Sequence, residues 1–432
     1  MNNKSVILLL SIVLLFSQQS FEEYKKQQEQ AFSQYKESVT KEYEQYEQAE
    51  KAAYTQFKED VEKQWEAFKG STKKTYVSYD EDLQSRASIN FEAGEVTVEI
   101  ILEEDEIKDS YNDDRKMDGN SDTFGFLQTA MPRNNLMFVL KPLLDLSEIT
   151  LPNDIPKGEI ISFESIRDKI ANAKLTKKLV GIISEKDDNG KTILHNQLIN
   201  AKGAVVKTGS VALDFAKKIT KKQAKKVKKY IGKDGKKRIS FSLTLPLRPD
   251  HKEKRLGNYE KEITKQAKRF KINPAIALAI TETESAFNPK ATSHIPAYGL
   301  MQLVPKSGAR DAYLYVYDKD KFLGKRYLYK PNNNIELGCA YLAKIRYNYF
   351  KSIKDDEKAY MCSVAAYNTG IGNVARALTN EGKLKPASKK ANSMSPDQLY
   401  KKLHKDLKYK EARDYLERVW SRKDKYAKLA GK

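Results

Sequence analysis

Asn273-Pro-Ala-Ile-Ala-Leu-Ala-Ile-Thr-Glu-Thr-Glu-Ser-Ala-Phe-Asn-Pro289 is the stretch from which this chain is best read. Asn273 offers a side-chain oxygen to cap a helix, and Pro274 suits the first helical position because its missing N–H would have no partner there. Nine largely apolar residues follow and lead to Glu284. The Asn288-Pro289 pair disfavours continued helix and predicts a turn just beyond that carboxylate. Positions four and seven back share a helical face, so Glu284 stands above Ile280 and Ala277. A carboxyl group at the end of an apolar helix is poorly solvated, which disfavours its charged form and suits it to proton donation near neutral pH. Glu282 competes for the role, since it shares a face with Leu278.

Three further blocks follow in order: Gly299-Leu-Met-Gln-Leu-Val-Pro305, Asn334-Ile-Glu-Leu-Gly-Cys-Ala-Tyr-Leu342 and Ala365-Ala-Tyr-Asn-Thr-Gly370. With Glu284-Ser-Ala-Phe-Asn-Pro289 they resemble the catalytic domain of the soluble-lytic-transglycosylase family of peptidoglycan-cleaving enzymes. That family's pattern runs E-S-x-aromatic-N-P, G-L-M-Q, N-I-x-x-G-x-x-Y-L, A-Y-N-x-G. The resemblance covers roughly residues 255–430 and puts Glu284, not Glu282, at the family's acid. It implies an α+β chain whose C-terminal domain, 251–432, is mainly helical and lysozyme-like.

The chain has 432 residues, room for more than one domain. Lys4, the apolar stretch Val6–Phe16 and the polar Ser17-Gln-Gln-Ser20 read as a secretory signal over 1–20. The apolar part is short for a membrane span, which needs about 20 residues. Export to the periplasm or cell envelope is therefore expected. No cysteine stands near Ser17–Ser20, so the lipid anchor of a bacterial lipoprotein is not expected. The 2 cysteines, Cys339 and Cys362, fall in predicted helices and could be bridged or free. The 4 histidines show no metal-ligand spacing, and neither metal nor cofactor is expected.

The formal charge of +20 bears on partners rather than fold. Lys217–Arg238 is dense in lysine and opposed there only by Asp234. On an exported protein such a segment is expected to meet anionic membrane or envelope polymers. Nucleic acid would bind it too, but the compartment argues against that partner.

Residues 21–68 carry two aromatic series at an interval of 11 residues: Phe21, Phe32, Tyr43, Tyr54, Trp65 and Tyr24, Tyr35, Tyr46, Phe57, Phe68. That period, about 3.67 residues per turn, keeps a stripe nearly straight along an α-helix. The sequence predicts a rod on the order of 70 Å over 21–70, acting as a spacer or self-association element. Residues 71–250 read as a mixed α/β domain. A hairpin is expected about Ala93-Gly94, a helix over 205–231 carrying the basic run, and a strand over Ile239–Leu247. Arg86–Phe91, the basic run and the Asp234-Gly235 turn resemble the N-terminal domain of the membrane-bound lytic murein transglycosylase C branch. The aromatic helix has no expected counterpart in that family.

The resemblance implies the chemistry as well. Glu284 would protonate the glycosidic oxygen between N-acetylmuramic acid and N-acetylglucosamine, then act as base on the sugar's own C6 hydroxyl to leave a 1,6-anhydro ring. Ser293 and Gln302 match residues lining the sugar cleft. Tyr367 matches a tyrosine lying near the acid, and Glu411 a second cleft carboxylate. Val304 stands where some relatives have methionine. Two other readings stay open at this point. One is a hydrolase like goose-type lysozyme, needing a water-activating aspartate such as Asp311, Asp318 or Asp320. The other is a non-catalytic envelope scaffold that binds glycan through a degenerate cleft.

Overall fold

The computed structural model describes residues 3–105, 130–131, 161–294 and 296–430. The chain separates into two compact units, residues 1–60 and Val61–Lys432. The first is helical. It lies within α1 (Asn3–Gln64), whose Glu, Lys, Gln and Ala filler favours helix. The aromatic stripe is real along it: Phe21, Tyr24, Tyr46, Tyr54 and Phe57 are all exposed.

The second unit opens with a correction. The expected helix to residue 68 stops at Gln64, so the last two rings of the stripe leave the helical register. Trp65 is buried with Val61 and Ile101. Its indole N–H donates to the Leu83 carbonyl at 2.6 Å, and the Arg86 guanidinium lies 4.0 Å from its ring centroid. Phe68 stacks on Tyr79 with an interplanar angle of 5°. Tertiary packing of two large rings outweighs the helix preference of the residues around them.

An antiparallel sheet follows, built from β1 (Thr75–Tyr79), β2 (Ser85–Asn90), β3 (Glu95–Glu103), β6 (Lys226–Ile231) and β7 (Lys237–Pro246), in the order β1-β2-β3-β7-β6. A separate two-stranded pairing joins β4 (Ala130–Met131) to β5 (Ile161–Ser162). The β2–β3 hairpin turns at Ala93-Gly94 as its sequence indicates, and β7 pairs with β3 from Pro246 to Arg238. Inward Ile89, Val96, Val98, Ile100, Phe241 and Leu243 pack under α2 (Phe163–Ser184) and α3 (Ser210–Lys222). The helix expected over 205–231 is thus half right. It ends at Lys222, and Lys226–Ile231 is an exposed edge strand. Lysine favours helix in isolation, but the Asp234-Gly235 turn folds this segment back onto β7, and Gly235 takes φ +80° to do so.

The remainder is helical: α4 (His251–Arg269), α5 (Pro274–Ser285), α6 (Arg310–Tyr317), α7 (Lys325–Leu328), α8 (Pro331–Lys344), α9 (Asp356–Thr369), α10 (Ile371–Thr379), α11 (Leu384–Asn392), α12 (Pro396–Asp406) and α13 (Lys410–Ala430). Their core runs from Leu256 to Tyr426 and surrounds α5, nearly all of whose residues are buried. Cys339 and Cys362 are free thiols within it, and burial pushes the Cys362 thiol up to about 12. Arg255, fully buried on α4, bonds the carbonyls of Ala286 and Phe91 and the Gln197 side chain, tying the helical part to the sheet part. Among the described residues no helix is long and apolar enough to cross a membrane.

Candidate active site

Helix α5 begins as its sequence indicates. The Asn273 side chain accepts from the backbone N–H of Ala275 at 2.9 Å and of Ile276 at 3.4 Å, with Pro274 behind it. It ends differently. The turn is made by Ala286 and Phe287, both left-handed at φ +51° and +59°, before Asn288-Pro289 is reached. Non-glycine residues adopt that conformation at a cost of about 1–2 kcal/mol each. Phe287 is buried in the core, which holds the turn in place. The reversal leaves Glu284 at the end of the helix, only 4% exposed.

The four sequence blocks meet on one loop, residues 298–303. Ser285 Oγ lies 2.7 Å from the Leu300 carbonyl. Asn334 accepts from the Met301 N–H at 2.7 Å and donates to the carbonyls of Tyr298 and Leu328, each at 2.8 Å. Tyr367 donates its hydroxyl hydrogen to the Met301 carbonyl at 2.9 Å. Two glycines are required by this convergence. Gly299 has φ +77°, and a Cβ there would stand 2.4 Å from both Asn334 Nδ2 and the Leu328 carbonyl. A Cβ on Gly338 would meet Met301 Sδ at 2.3 Å. Each block of the sequence thus supplies one fastening of a single loop.

Around Glu284 the groups are few. Burial pushes its pKa up, more strongly than Lys73 and the nearby Tyr415 hydroxyl pull it down, and Glu411 adds to the rise. Lys73 Nζ lies 3.6 Å from Glu284 Oε2 and 3.7 Å from Glu411 Oε1. The Tyr415 hydroxyl is enclosed without a hydrogen bond of ordinary geometry, yet its proton is held well above the usual tyrosine range, by burial first and by Glu284 second. Tyr367 is affected in the same way and in the same order. A carboxyl whose burial favours its protonated form, beside two phenols and the Lys73 ammonium, suits proton donation.

The five sequence-derived positions do not share one setting. Gln302 is buried with φ +48°. Its Nε2 donates to the carbonyls of Ala291 and Gly299, and its Oε1 is buried without a partner among the described residues. Ser293 closes a turn, its Oγ accepting from the Ala297 N–H at 3.2 Å. Tyr367 faces the acid through a hydroxyl already engaged by Met301. Glu411 is mostly exposed and reaches Glu284 through Lys73. The competitor Glu282 is fixed elsewhere, by the Tyr426 hydroxyl at 2.6 Å and by Arg422 and Lys425. Of the aspartates a hydrolase would need, Asp320 is clamped by Arg310 and Asp311 lies 3.2 Å from Lys344. Asp318 ends α6 in a left-handed turn. Sequence reading missed Lys73 and Tyr415, since neither lies in a block and their nearness to Glu284 is tertiary. Among the described residues no group of three or more His, Cys, Asp and Glu side chains is disposed to hold a metal.

Comparison with known proteins bears on both parts of the chain. Residues 261–389 match the Transglycosylase SLT domain. Residues 29–111 match the N-terminal domain of membrane-bound lytic murein transglycosylase C. That second match corrects the expectation that the aromatic helix has no counterpart in the family, since it takes in most of that helix. The chain is 31% identical over 243 residues to the membrane-bound lytic murein transglycosylase C of Klebsiella pneumoniae, covering 56% of this chain and 65% of that one. It is 31% identical over 250 residues to the Salmonella arizonae protein of the same name, covering 57% and 67%. Against the Sodalis glossinidius protein it is 36% identical over 185 residues, covering 41% and 49%. The matched region thus spans between about half and two thirds of these relatives' length. Among solved structures, an inactive mutant of the lytic transglycosylase Slt of Pseudomonas aeruginosa is similar over 40% of this chain and 24% of that one, at 26% identity and a TM-score of 0.31. The 70-kDa soluble lytic transglycosylase of Escherichia coli is similar over 42% and 26%, at 24% identity and a TM-score of 0.32. On its sequence matches at both ends of the described fold, the chain belongs to the membrane-bound lytic murein transglycosylase C family.

Proposed function

We propose that this chain cleaves the glycan strands of peptidoglycan between N-acetylmuramic acid and N-acetylglucosamine by lytic transglycosylation, with Glu284 as acid and then base. The observation that carries the reading is the enclosed Glu284, its pKa pushed up by burial, beside the loop that all four blocks fasten. Glu284 gives its proton to the glycosidic oxygen as the C1–O bond breaks. The resulting carboxylate then takes the C6 hydroxyl proton as the O6–C1 bond forms. The proton count closes without water, metal or cofactor. Gln302, its amide held by the carbonyls of Ala291 and Gly299, lines the sugar cleft from the same loop. Tyr367, near the acid, orients the sugar, Ser293 lines the cleft, and Glu411 is a second cleft carboxylate that binds substrate.

The products decide between this reading and hydrolysis. Digestion of purified peptidoglycan should release muropeptides ending in 1,6-anhydro-N-acetylmuramic acid, lighter by one water than hydrolysed ones. Mass spectra containing only reducing ends would replace the transglycosylase with a lysozyme-like hydrolase.

In the same reading residues 1–20 direct export to the envelope, 71–250 and 251–432 are the accessory and catalytic domains, and the 21–68 stripe serves self-association. The basic segment Lys217–Arg238 is the peripheral contact with anionic membrane or envelope polymer. Part of that segment is neutralised within the fold. Arg238 is buried on Glu103 and Asp234, and that guanidinium holds the Asp234 carboxyl down at about 2. Lys228, Lys229 and Lys233 pair with Glu66, Glu104 and Glu62. Lys217, Lys218, Lys221, Lys222 and Lys226 are exposed on the end of α3 and the start of β6, and form no ion pair among the described residues. Each basic residue near an anionic surface contributes about 1 kcal/mol, and the attraction fades within a Debye length of about 8–10 Å. Changing Lys221, Lys222, Lys225 and Lys226 to Gln should therefore lower co-sedimentation with anionic vesicles and shift salt release to lower ionic strength. Equal sedimentation of both proteins at every salt concentration would show the cluster to be a solvated face.

A further inference from the structure

Lys73 comes from the opposite part of the fold to the acid it approaches. It lies in Ser71–Lys74, the segment leading into β1, and the sheet side secures that segment. The Thr72 N–H donates to the Thr75 carbonyl at 2.8 Å, and Thr72 Oγ1 accepts from the Thr75 N–H at 3.0 Å. The Phe91 N–H donates to the Lys74 carbonyl at 2.9 Å, and Lys74 Nζ pairs with Glu92 at 2.7 Å. Its tip leans on the catalytic side. The Thr292 N–H donates to the Thr72 carbonyl at 3.3 Å, and Asn288 Nδ2 to the Lys73 carbonyl at 3.4 Å. Both acceptors sit beside the turn that ends the Glu284 helix. The backbone around Lys73 is therefore held from two sides, and its ammonium projects to a point between Glu284 and Glu411.

We propose that Lys73 is a positioning residue of this active site, holding its ammonium between Glu284 and Glu411 to steady the Glu284 carboxylate between giving a proton up and taking one back. The inference rests on the reading of Glu284 as the acid. An enclosed carboxylate with no cation near it is costly. Proton transfer to the glycosidic oxygen creates that carboxylate, and Lys73 offsets the cost at the moment it arises. Among the described residues the other charged or titratable groups found facing Glu284 are Tyr415 and Glu411 from α13 and Tyr367 from α9. None of them is a cation, so the task falls to Lys73. Glu411 in turn draws the ammonium outward, which keeps Lys73 from locking the acid in its charged form.

The sign of the effect is definite. Without the ammonium, Glu284 becomes a weaker acid and keeps its proton to higher pH. Lys73→Met should lower the cleavage rate on the low-pH plateau by roughly tenfold, a fraction of what a general acid supplies in full. It should change KM little and move the alkaline limb of the pH–rate profile to higher pH. Lys73→Arg should restore both plateau and limb. A profile for Lys73→Met that superimposes on wild type would overturn the proposal. So would equal rate losses in Met and Arg variants with the limb unmoved, which would mark a purely structural role. The same comparison is read without turnover by carbon-13 NMR titration of the Glu284 carboxyl in wild type and Lys73→Met, and identical titrations would also overturn it. Full cleavage by Glu284→Gln would instead remove the acid assignment, while the NMR arm still tests the pairing.

Discussion

Glu284→Gln is expected to abolish glycan cleavage while leaving glycan binding in place, with the rate falling by about 10²–10⁴-fold. The amide occupies the same enclosed space but has no proton to transfer. The upper end of that range applies, since the neighbouring carboxylate Glu411 is exposed and turned toward Lys73. The fold should not suffer. The folded-state pKa of Glu284 is raised by burial, so the native state holds this proton more tightly than the unfolded chain. Stability tied to that proton is fully present at low pH and is lost as pH rises through the folded-state value. Glutamine escapes the loss, and thermal unfolding of the variant at neutral to alkaline pH should come no lower than wild type. Glu282→Gln makes the contrast. It weakens the bonds to Tyr426, Arg422 and Lys425 and should cost stability with little effect on cleavage. Cleavage by Glu284→Gln above roughly a tenth of wild type, against so large an expected acid contribution, would remove it from the mechanism.

The next largest effect is expected at a residue that touches no sugar. Asn334 is fully buried, and its one side chain fastens three backbone groups of the loop system. Asn334→Ala leaves the Met301 N–H and the Leu328 carbonyl without that partner and opens space beside Gly299. Each buried polar group left unmade costs about 1–3 kcal/mol, so the two together should cost about 2–6 kcal/mol. Cleavage should fall with it, because Leu300 and Met301 carry the contacts that hold Ser285 and Tyr367. Urea unfolding gives the first quantity and turnover of peptidoglycan the second. A variant with the wild-type midpoint would show that the loop is held by its apolar packing instead.

Much of this site is legible in the chain because its critical features are local. The cap at Asn273, the apolar run and the terminal carboxylate lie within one helix, and a 3.6-residue period exposes them. The β2–β3 hairpin is equally local, with alternation on both sides of Gly94. The errors arise where a distant segment decides. Lysine-rich 226–231 is strand because β7 lies beside it. Trp65 and Phe68 leave the helix because Leu83, Arg86 and Tyr79 offer them better contacts. The acid helix is ended by Ala286 and Phe287, a conformation that local preference argues against and the core imposes. The blocks name the fastenings of the 298–303 loop without revealing that they share it. Lys73 and Tyr415 carry no sequence signal at all, since only the fold brings them to Glu284.

The groups around the acid are drawn from nearly the whole length of the chain: residue 73 near its beginning, then 284, 367, and finally 411 and 415. A chain is made from its N-terminus, and contacts of such separation form late. While it is being made, this one passes through a long interval in which Glu284 exists but its surroundings do not. The carboxyl is then an ordinary solvated glutamate, ionised at neutral pH and unable to protonate a glycosidic bond. On the proposed reading, only when α13 settles against α5 does the side chain become an acid in the working sense. A centre with the proposed function, organised in this way, is expected to stay blunt in nascent, misfolded or C-terminally clipped molecules, with cutting power confined to the finished fold.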